Sequence, residues 1–173
     1  MMGAGKTTVG RLLAQALGWR FLDADREIEA RSGVSVATIF ELEGEAGFRK
    51  REAAVIDELS QLSGIVLATG GGAVLAPESR ERLHDRGLVI HLRVTPDEVW
   101  RRTKRDTHRP LLRTADPRAR IEQIMAERAP FYAEVAHLSF QSAVTNPKRL
   151  VERILATPEM LELLGQSLPS PAP

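Results

Sequence analysis

The sequence contains no cysteine, which excludes disulfide bonds, thiolate nucleophiles and metal sites with cysteine ligands. It has no apolar run long enough to cross a bilayer and no pattern typical of a signal peptide. An excess of charge is also lacking, because 24 lysines and arginines stand against 23 acidic residues, for a net charge of +1. A nearly neutral chain with only 5% aromatic residues does not attract nucleic acid or an anionic membrane as a whole. We therefore expect a cytoplasmic protein, either an enzyme or a binding domain, in which individually placed arginines meet any anionic ligand.

Short apolar runs alternate with longer amphipathic patterns along the chain, and this alternation predicts an α/β fold with a parallel sheet flanked by helices. The predicted strands are 20–23, 65–69, 88–92 and 138–141, and the predicted helices are 6–17, 35–62, 78–86, 96–105 and 118–134. The second and third strands are apolar at nearly every position, as in a sheet with both faces covered. Thr95-Pro96-Asp97-Glu98 predicts a capped helix start. We expect one domain over 1–164 and a disordered tail at 165–173.

The chain opens with Met2-Gly3-Ala4-Gly5-Lys6-Thr7-Thr8, which leads directly into the first predicted helix. This string is the second half of the GxxxxGK[ST] phosphate-binding loop. Its glycines allow consecutive backbone N–H groups to turn towards a polyphosphate at the positive end of the helix. Lys6 is expected to reach the β- and γ-phosphates of ATP, and the Thr7 hydroxyl to bind Mg²⁺. The string therefore predicts an ATP site at 3–8.

The first glycine of that motif, and the strand that normally precedes it, are not in the sequence. In a parallel sheet of this kind the missing strand is central, so its loss would leave open edges on both sides of a gap. We expect the gene product to begin about ten residues earlier, which is enough for one strand.

Other segments carry candidate site residues whose roles the residues alone leave open. Asp23 and Asp25 end the first predicted strand, where each could cap the next helix, hold a metal-bound water or orient an acceptor hydroxyl. Gly70-Gly71-Gly72 suits a tight turn or a close approach of backbone to a ligand. The cation-rich segment 101–113 is a solvated loop, a nucleic-acid patch or a mobile lid that brings an arginine onto phosphates.

The segments GAGKTTVGR, FLDAD, FRKRE, LATGGGAV, RPLL and RAPFY occur in this order, and together they resemble the shikimate kinase family from about Met2 to Pro147. The resemblance implies a P-loop kinase with strand order 2-3-1-4-5, in which strand 1 is the one missing here. It also implies an acceptor-binding segment at about 24–54 and a closing lid at about 104–116. The implied reaction is the phosphorylation of the shikimate 3-hydroxyl by ATP, with Mg²⁺ as cofactor, a step of chorismate and aromatic amino-acid biosynthesis.

The resemblance further implies roles for individual residues. Lys6, Asp25 and Arg109 match catalytic groups: Asp25 holds the acceptor hydroxyls as base or orienter, and Arg109 is the lid arginine on the phosphates. Asp23 matches an aspartate that meets Mg²⁺ through water, beside Thr7. The positions matched to acceptor binding are Asp25, Arg49, Gly70, Gly71, Gly72 and Arg128, with Phe40 and Phe48 lining the pocket. The positions matched to ATP binding are Gly3, Ala4, Gly5, Lys6, Thr7, Thr8, Arg102, Arg109, Thr145 and Pro147.

Two other functions stay open on the sequence alone. The chain could be another small P-loop kinase, acting on gluconate or a nucleoside monophosphate, although the GGGAV, FLDAD and FRKRE segments favour shikimate. It could also be a non-catalytic relative that binds ATP or shikimate, a hypothesis that gains weight from the incomplete phosphate loop. We expect a monomer, since no coiled-coil pattern is present.

Overall fold

The computed structural model describes residues 1–104, 114–142 and 146–166, and it confirms the predicted α/β class. Its strands are Arg20–Asp23 (β1), Ile65–Ala68 (β2), Ile90–Arg93 (β3) and Leu138–Gln141 (β4). Its helices are Lys6–Leu17 (α1), Ala24–Ser32 (α2), Val36–Leu59 (α3), Pro77–Arg86 (α4), Pro96–Thr103 (α5), Pro117–Val135 (α6), Pro147–Leu155 (α7) and Pro158–Gln166 (α8), with a 3₁₀ turn at Ala73–Leu75. None of the helices in these ranges is long and apolar enough to cross a membrane.

The strands pair in two parallel couples. β1 pairs with β2, with Arg20 opposite Ile65, and β3 pairs with β4, with Ile90 opposite Leu138. Within the described ranges these couples form two separate two-stranded sheets, so β2 and β3 each have one strand neighbour. The parallel pairing agrees with the prediction. The full order 2-3-1-4-5 stays a prediction.

Two apolar clusters form the core. The larger one joins α1, β3, α6, α7 and α8 through residues such as Leu13, Leu92, Ile124 and Ile154. The smaller one, centred on Ile28, Ile39, Phe48 and Val55, packs α2 against α3 beside β1. Each cluster therefore supports one side of the molecule: the larger lies under the phosphate loop, and the smaller under the segment predicted to bind the acceptor.

Local signals explain where several helices begin and end. The Thr95 hydroxyl accepts from the Glu98 N–H and the Glu98 carboxylate accepts from the Thr95 N–H, which confirms the predicted capping box of α5. The predicted helix at 35–62 is interrupted at Gly44, whose φ of 69° lies in the left-handed region that favours glycine. The chain therefore changes direction inside α3, between Phe40 and the turns that carry Arg49.

The structure corrects several predicted boundaries. The third strand lies at Ile90–Arg93 and not at 88–92. The Val89 N–H donates to the His137 side chain, and the Val89 carbonyl accepts from the backbone N–H groups of His137 and Leu138. α2, α7 and α8 were not predicted. The first is capped by Asp23 and ends at Gly33, and α8 extends to Gln166, into the predicted tail. Residues 167–173 lie outside the described ranges, as do 105–113 of the predicted lid.

Candidate active site

The phosphate loop has the backbone shape that its glycines predict. Gly3 and Gly5 have φ values of 66° and 82°, and α1 begins at Lys6, directly after Gly5. No side chain of the described residues caps this helix start, and N–H groups at a helix start suit an anion. The Lys6 ammonium donates to the Met1 carbonyl at 2.8 Å, which holds the lysine over the loop. Thr8 is exposed on the first turn, whereas Ala4 is buried.

The loop contacts the end of β1 through the two residues predicted to bind metal. The Thr7 hydroxyl donates to Asp23 Oδ2 at 3.2 Å. The other oxygen of Asp23 accepts from the Arg26 N–H at 3.5 Å and caps α2, so this carboxylate serves both a helix cap and the phosphate loop. A hydroxyl beside a carboxylate offers oxygen ligands of the kind that Mg²⁺ prefers. Among the described residues no group of three or more His, Asp or Glu side chains could hold a metal ion.

Asp25 lies at the start of α2, in the space between the loop and the glycine triplet. Burial raises the pKa of its carboxyl, with a further contribution from Asp23, whereas Lys6 and Arg49 act in the opposite direction. A Cβ atom added at Gly70 would lie 3.1 Å from Asp25 Oδ1. The pKa of the predicted base, Asp25, is therefore influenced both by Lys6 of the nucleotide side and by Arg49 of the acceptor side.

Arg49 is fixed by two carboxylates of its own helix. Its guanidinium donates to Glu52 Oε2 at 2.6 Å and to Glu45 Oε1 at 2.8 Å. The Glu52 side chain is only 2% exposed, against 45% for Glu45. Burial raises the pKa of Glu52, while Arg49 opposes that shift. The second oxygen, Glu52 Oε1, has no hydrogen-bond partner in the described ranges. Glu52, the last residue of the FRKRE segment, is thus a buried site residue to which the sequence alone assigned no role.

The glycine triplet is a close-approach site and not merely a turn. A Cβ at Gly70 would collide with Glu52 Oε1, and one at Gly72 would overlap the Arg49 guanidinium. Any side chain at these two positions would therefore push on the Arg49–Glu52 pair. The prediction of a close approach is consistent with this geometry, although the groups that approach are side chains of α3.

The carbonyl of Gly71 accepts hydrogen bonds from two side chains of α6. Arg128 Nη1 donates to it at 2.9 Å and the Tyr132 hydroxyl at 2.6 Å. Arg128 is 5% exposed. This residue, predicted to bind the acceptor substrate, is therefore a buried cation held by the backbone carbonyl of Gly71. Tyr132, the last residue of the RAPFY segment, is a second residue to which the sequence alone assigned no role. The arrangement joins the end of β2 to α6.

The other predicted site residues fall into four groups. Arg102 lies against the phosphate loop, where its guanidinium donates to the Gly3 carbonyl at 2.6 Å. The rings of Phe40 and Phe48 are in contact, tilted by 35° with centroids 4.7 Å apart, and Phe48 is part of the smaller core cluster. Pro147 is exposed at the start of α7. Arg109 and Thr145 lie outside the described residues.

Comparison with known proteins gives a consistent result. A family model described as shikimate kinase matches residues 2–159. The chain is 51% identical over 168 residues to a shikimate kinase of Burkholderia pseudomallei strain 1710b, covering 97% of this chain and 91% of that protein. It is 57% identical over 143 residues to one of Thiobacillus denitrificans, covering 83% and 78%. Its fold is similar, with a TM-score of 0.88 and 43% identity, to the solved shikimate kinase of Acinetobacter baumannii in complex with shikimate, covering 97% and 91%.

Proposed function

The chain belongs to the shikimate kinase family, and from that membership we propose how its residues carry out the transfer of phosphate from ATP to shikimate. It is a kinase that phosphorylates shikimate. The matched family and relatives favour shikimate over gluconate or a nucleoside monophosphate as its acceptor. The observation that carries the mechanism is the 3.2 Å hydrogen bond from Thr7 to Asp23. It joins the nucleotide loop to the segment that carries Asp25, so donor and acceptor sides meet at this point.

On the acceptor side, Arg49 and Arg128 bind the shikimate carboxylate. A guanidinium can give two parallel hydrogen bonds to a carboxylate, and both arginines are held in fixed orientations by Glu52, Glu45 and Gly71. The Gly70–Gly72 backbone permits this cluster to stay close to the substrate ring. The pocket is preorganised because both arginines are held in place before the substrate arrives.

Asp25 orients the 3-hydroxyl of shikimate and accepts its proton. The hydroxyl oxygen forms a bond to the γ-phosphorus as the bond from that phosphorus to the β–γ bridging oxygen breaks, and ADP leaves. A carboxyl with a raised pKa is a better proton acceptor than an ordinary aspartate. Because the transition state of phosphoryl transfer is loose, alignment and charge neutralisation supply most of the catalysis.

Lys6 and the helix start at 6–8 neutralise the phosphates, and Arg109 adds a further cation when the segment that carries it closes over ATP. Thr7 and Asp23 fit a magnesium site, with Thr7 as a direct ligand and Asp23 as a partner of bound water. The metal, when bound, neutralises charge that develops on the β- and γ-phosphate oxygens. The residues of this chain keep the loop and the base aligned around it.

The test is a coupled ADP-release assay with ATP and Mg²⁺, in which shikimate, gluconate and a nucleoside monophosphate are compared. Of the three acceptors, we expect only shikimate to support turnover. We also expect the Thr7→Ala variant to need a higher Mg²⁺ concentration for half-maximal rate. Binding of ATP and shikimate without turnover would identify a non-catalytic relative and overturn the proposal. A cytoplasmic location and a monomeric state complete the proposal, and light scattering of the purified chain checks the second.

A further inference from the structure

An ion pair joins the two halves of α3 across the break at Gly44. Arg51, on the second half, donates from Nε to Glu43 Oε2 at 2.9 Å and from Nη2 to Glu43 Oε1 at 2.7 Å. Glu43 is the last residue before the break, and Arg51 lies about two helical turns beyond it. The pair therefore ties the first half of the helix to the turns that carry Arg49.

This contact depends on the bend at Gly44. Residues 43 and 51 are eight apart in sequence, so in an uninterrupted helix they would lie about 12 Å apart along the axis. Side chains of one helix normally meet at a spacing of three or four residues. A Cβ added at Gly47 would lie 2.5 Å from Glu43 Cβ, so the glycine leaves room for the Glu43 stem. The pair therefore favours the bent form of α3, in which the helix is interrupted at Gly44, over a continuous helix.

The first half of α3 carries one wall of the proposed acceptor pocket. Phe40 lies on this half and contacts Phe48 of the second half, with ring centroids 4.7 Å apart. The Phe48 ring is in turn 5.2 Å from the guanidinium carbon of Arg49. At the start of the same half, the Val36 N–H donates to Glu29 Oε1 of α2 at 2.9 Å. The first half is thus tied to α2 at its start and to the second half of α3 at its end, with Phe40 between the two contacts.

We propose that Glu43 and Arg51 are positioning residues for acceptor binding, because their ion pair holds α3 in its bent form and keeps Phe40 at the wall of the shikimate pocket. The inference rests on the proposed function, since it concerns the same pocket. Loss of the pair lowers the fraction of chains in which the pocket is formed, and the apparent affinity for shikimate falls by that fraction. The pair acts through Phe40 and not on the reacting atoms, so kcat at saturating shikimate and KM for ATP stay unchanged.

The test is a double-mutant cycle of Glu43→Gln, Arg51→Gln and the variant with both changes, measured by ADP release at saturating ATP. The two side chains are partly exposed, at 38% for Glu43 and 44% for Arg51. We therefore expect each single change to raise KM for shikimate by roughly two- to fivefold, the range that exposed ion pairs allow. The double variant should show no larger rise than the single ones, because the second change has no pair left to break.

Two further variants separate the pair from a general effect of surface charge. The charge-swapped variant, with Glu43→Arg and Arg51→Glu, should restore KM for shikimate towards that of the unsubstituted chain. Glu58→Gln is the matched control. Glu58 accepts two hydrogen bonds from Arg31 at 2.7 and 2.8 Å, but this pair joins α2 to the last turn of α3 and does not span the break at Gly44. Its loss should leave KM for shikimate unchanged.

Amide hydrogen exchange provides a readout that needs no substrate. Exchange in residues 36–43 should be faster in Glu43→Gln than in the unsubstituted chain, and Glu58→Gln should leave it unchanged. Unchanged KM in both single variants, or unchanged exchange in Glu43→Gln, would overturn the proposal. Effects on KM that multiply in the double variant would also overturn it, because the two residues would then act separately. A fall in kcat without a change in KM would do the same. If the unsubstituted chain itself gave no turnover with shikimate, the proposed function would fail and this inference with it, a result distinct from those of the variants.

Discussion

The acceptor side of the site is organised by paired charges, whereas the nucleotide side is organised by the shape of the backbone. On the acceptor side the partly buried Arg49–Glu52 pair and the bonds from Arg128 and Tyr132 to Gly71 fix the side chains. Breaking such a buried pair leaves a charge without compensation, which is strongly destabilising. Substitutions on this side should therefore change shikimate binding and stability together.

On the nucleotide side, Gly3 and Gly5 turn the loop and α1 supplies N–H groups. Arg102 donates to the Gly3 carbonyl of this loop from an exposed position. Substitutions of side chains here should change ATP binding or turnover without unfolding the chain. The two sides can thus be separated by measuring KM for each substrate, kcat and the melting temperature of the same variants.

The largest effect is expected at the point where the two sides meet. Asp25→Asn should lower kcat by about 10²–10⁴-fold, because an amide cannot accept the hydroxyl proton, while KM for ATP changes little. The coupled ADP-release assay measures both constants. Asp85→Asn, at an exposed aspartate of α4, is the matched control and should behave as the unsubstituted chain. Full turnover by Asp25→Asn would remove Asp25 from the mechanism.

Arg109→Ala tests the nucleotide side. Turnover should fall by about 10²–10³-fold, as when one positioned charge is lost from a transition state, while KM for shikimate stays nearly unchanged. Arg101→Ala, an exposed neighbour on α5, should have little effect. A large rise in KM for shikimate in Arg109→Ala would show that the two sides are not separable.

Gly70→Ala tests the pairing on the acceptor side, since the new methyl group would collide with Glu52 Oε1. Overpacking of this kind costs about 1–3 kcal/mol in the free energy of unfolding, and displacement of Glu52 from Arg49 should raise KM for shikimate by about tenfold. Gly87→Ala is the control, because a Cβ there meets nothing closer than the Leu83 carbonyl at 3.9 Å. Thermal melts and shikimate titrations distinguish the two variants. An unchanged KM in Gly70→Ala would mean that displacement of Glu52 does not disturb shikimate binding.

The pH dependence of kcat/KM for shikimate sharpens the assignment of Asp25. Its pKa is raised from the model-compound value of 3.8, so the ionised form that accepts a proton is lost as pH falls through this raised value. We expect an acidic limb whose midpoint lies above 3.8 and a rate that no longer depends on Asp25 ionisation at higher pH. A midpoint at or below the ordinary aspartate value would contradict the proposed role.

The smallest effect is expected at Arg102. Its guanidinium is exposed and bonds to the Gly3 carbonyl, so Arg102→Ala should raise KM for ATP only by about two- to fivefold, as for exposed charged contacts. KM for shikimate and the melting temperature should not change. If instead shikimate binding weakened while ATP binding held, Arg102 would belong to the acceptor side.

The sequence predicted those parts of the site that depend on local geometry. The string at 3–8 implies a loop with positive φ values and a helix start, and the structure contains both. The strand at 20–23 was predicted with the bounds it has in the structure. The roles of Asp25, Arg49 and Arg128 were implied by resemblance alone, because a single arginine or aspartate carries no local signal of function.

The sequence did not reveal the contacts that join distant segments. Glu52 follows Arg49 by three residues, a spacing that allows a helical ion pair, yet nothing local showed that this pair would be buried beneath Gly70. Likewise, the bond from Tyr132 to Gly71 depends on how α6 packs against β2. Such contacts are set by tertiary packing, so they become visible only in the folded chain.

The contact between Gly70 and Glu52 also limits how this sequence can change over generations. A larger residue at position 70 displaces the Glu52 carboxylate, and a shorter residue at 52 leaves Arg49 with Glu45, which is exposed. A single substitution at position 70 or at position 52 therefore disturbs the contact between Arg49 and Glu52. We therefore expect residues 49, 52 and 70 to be substituted together during evolution and not one at a time.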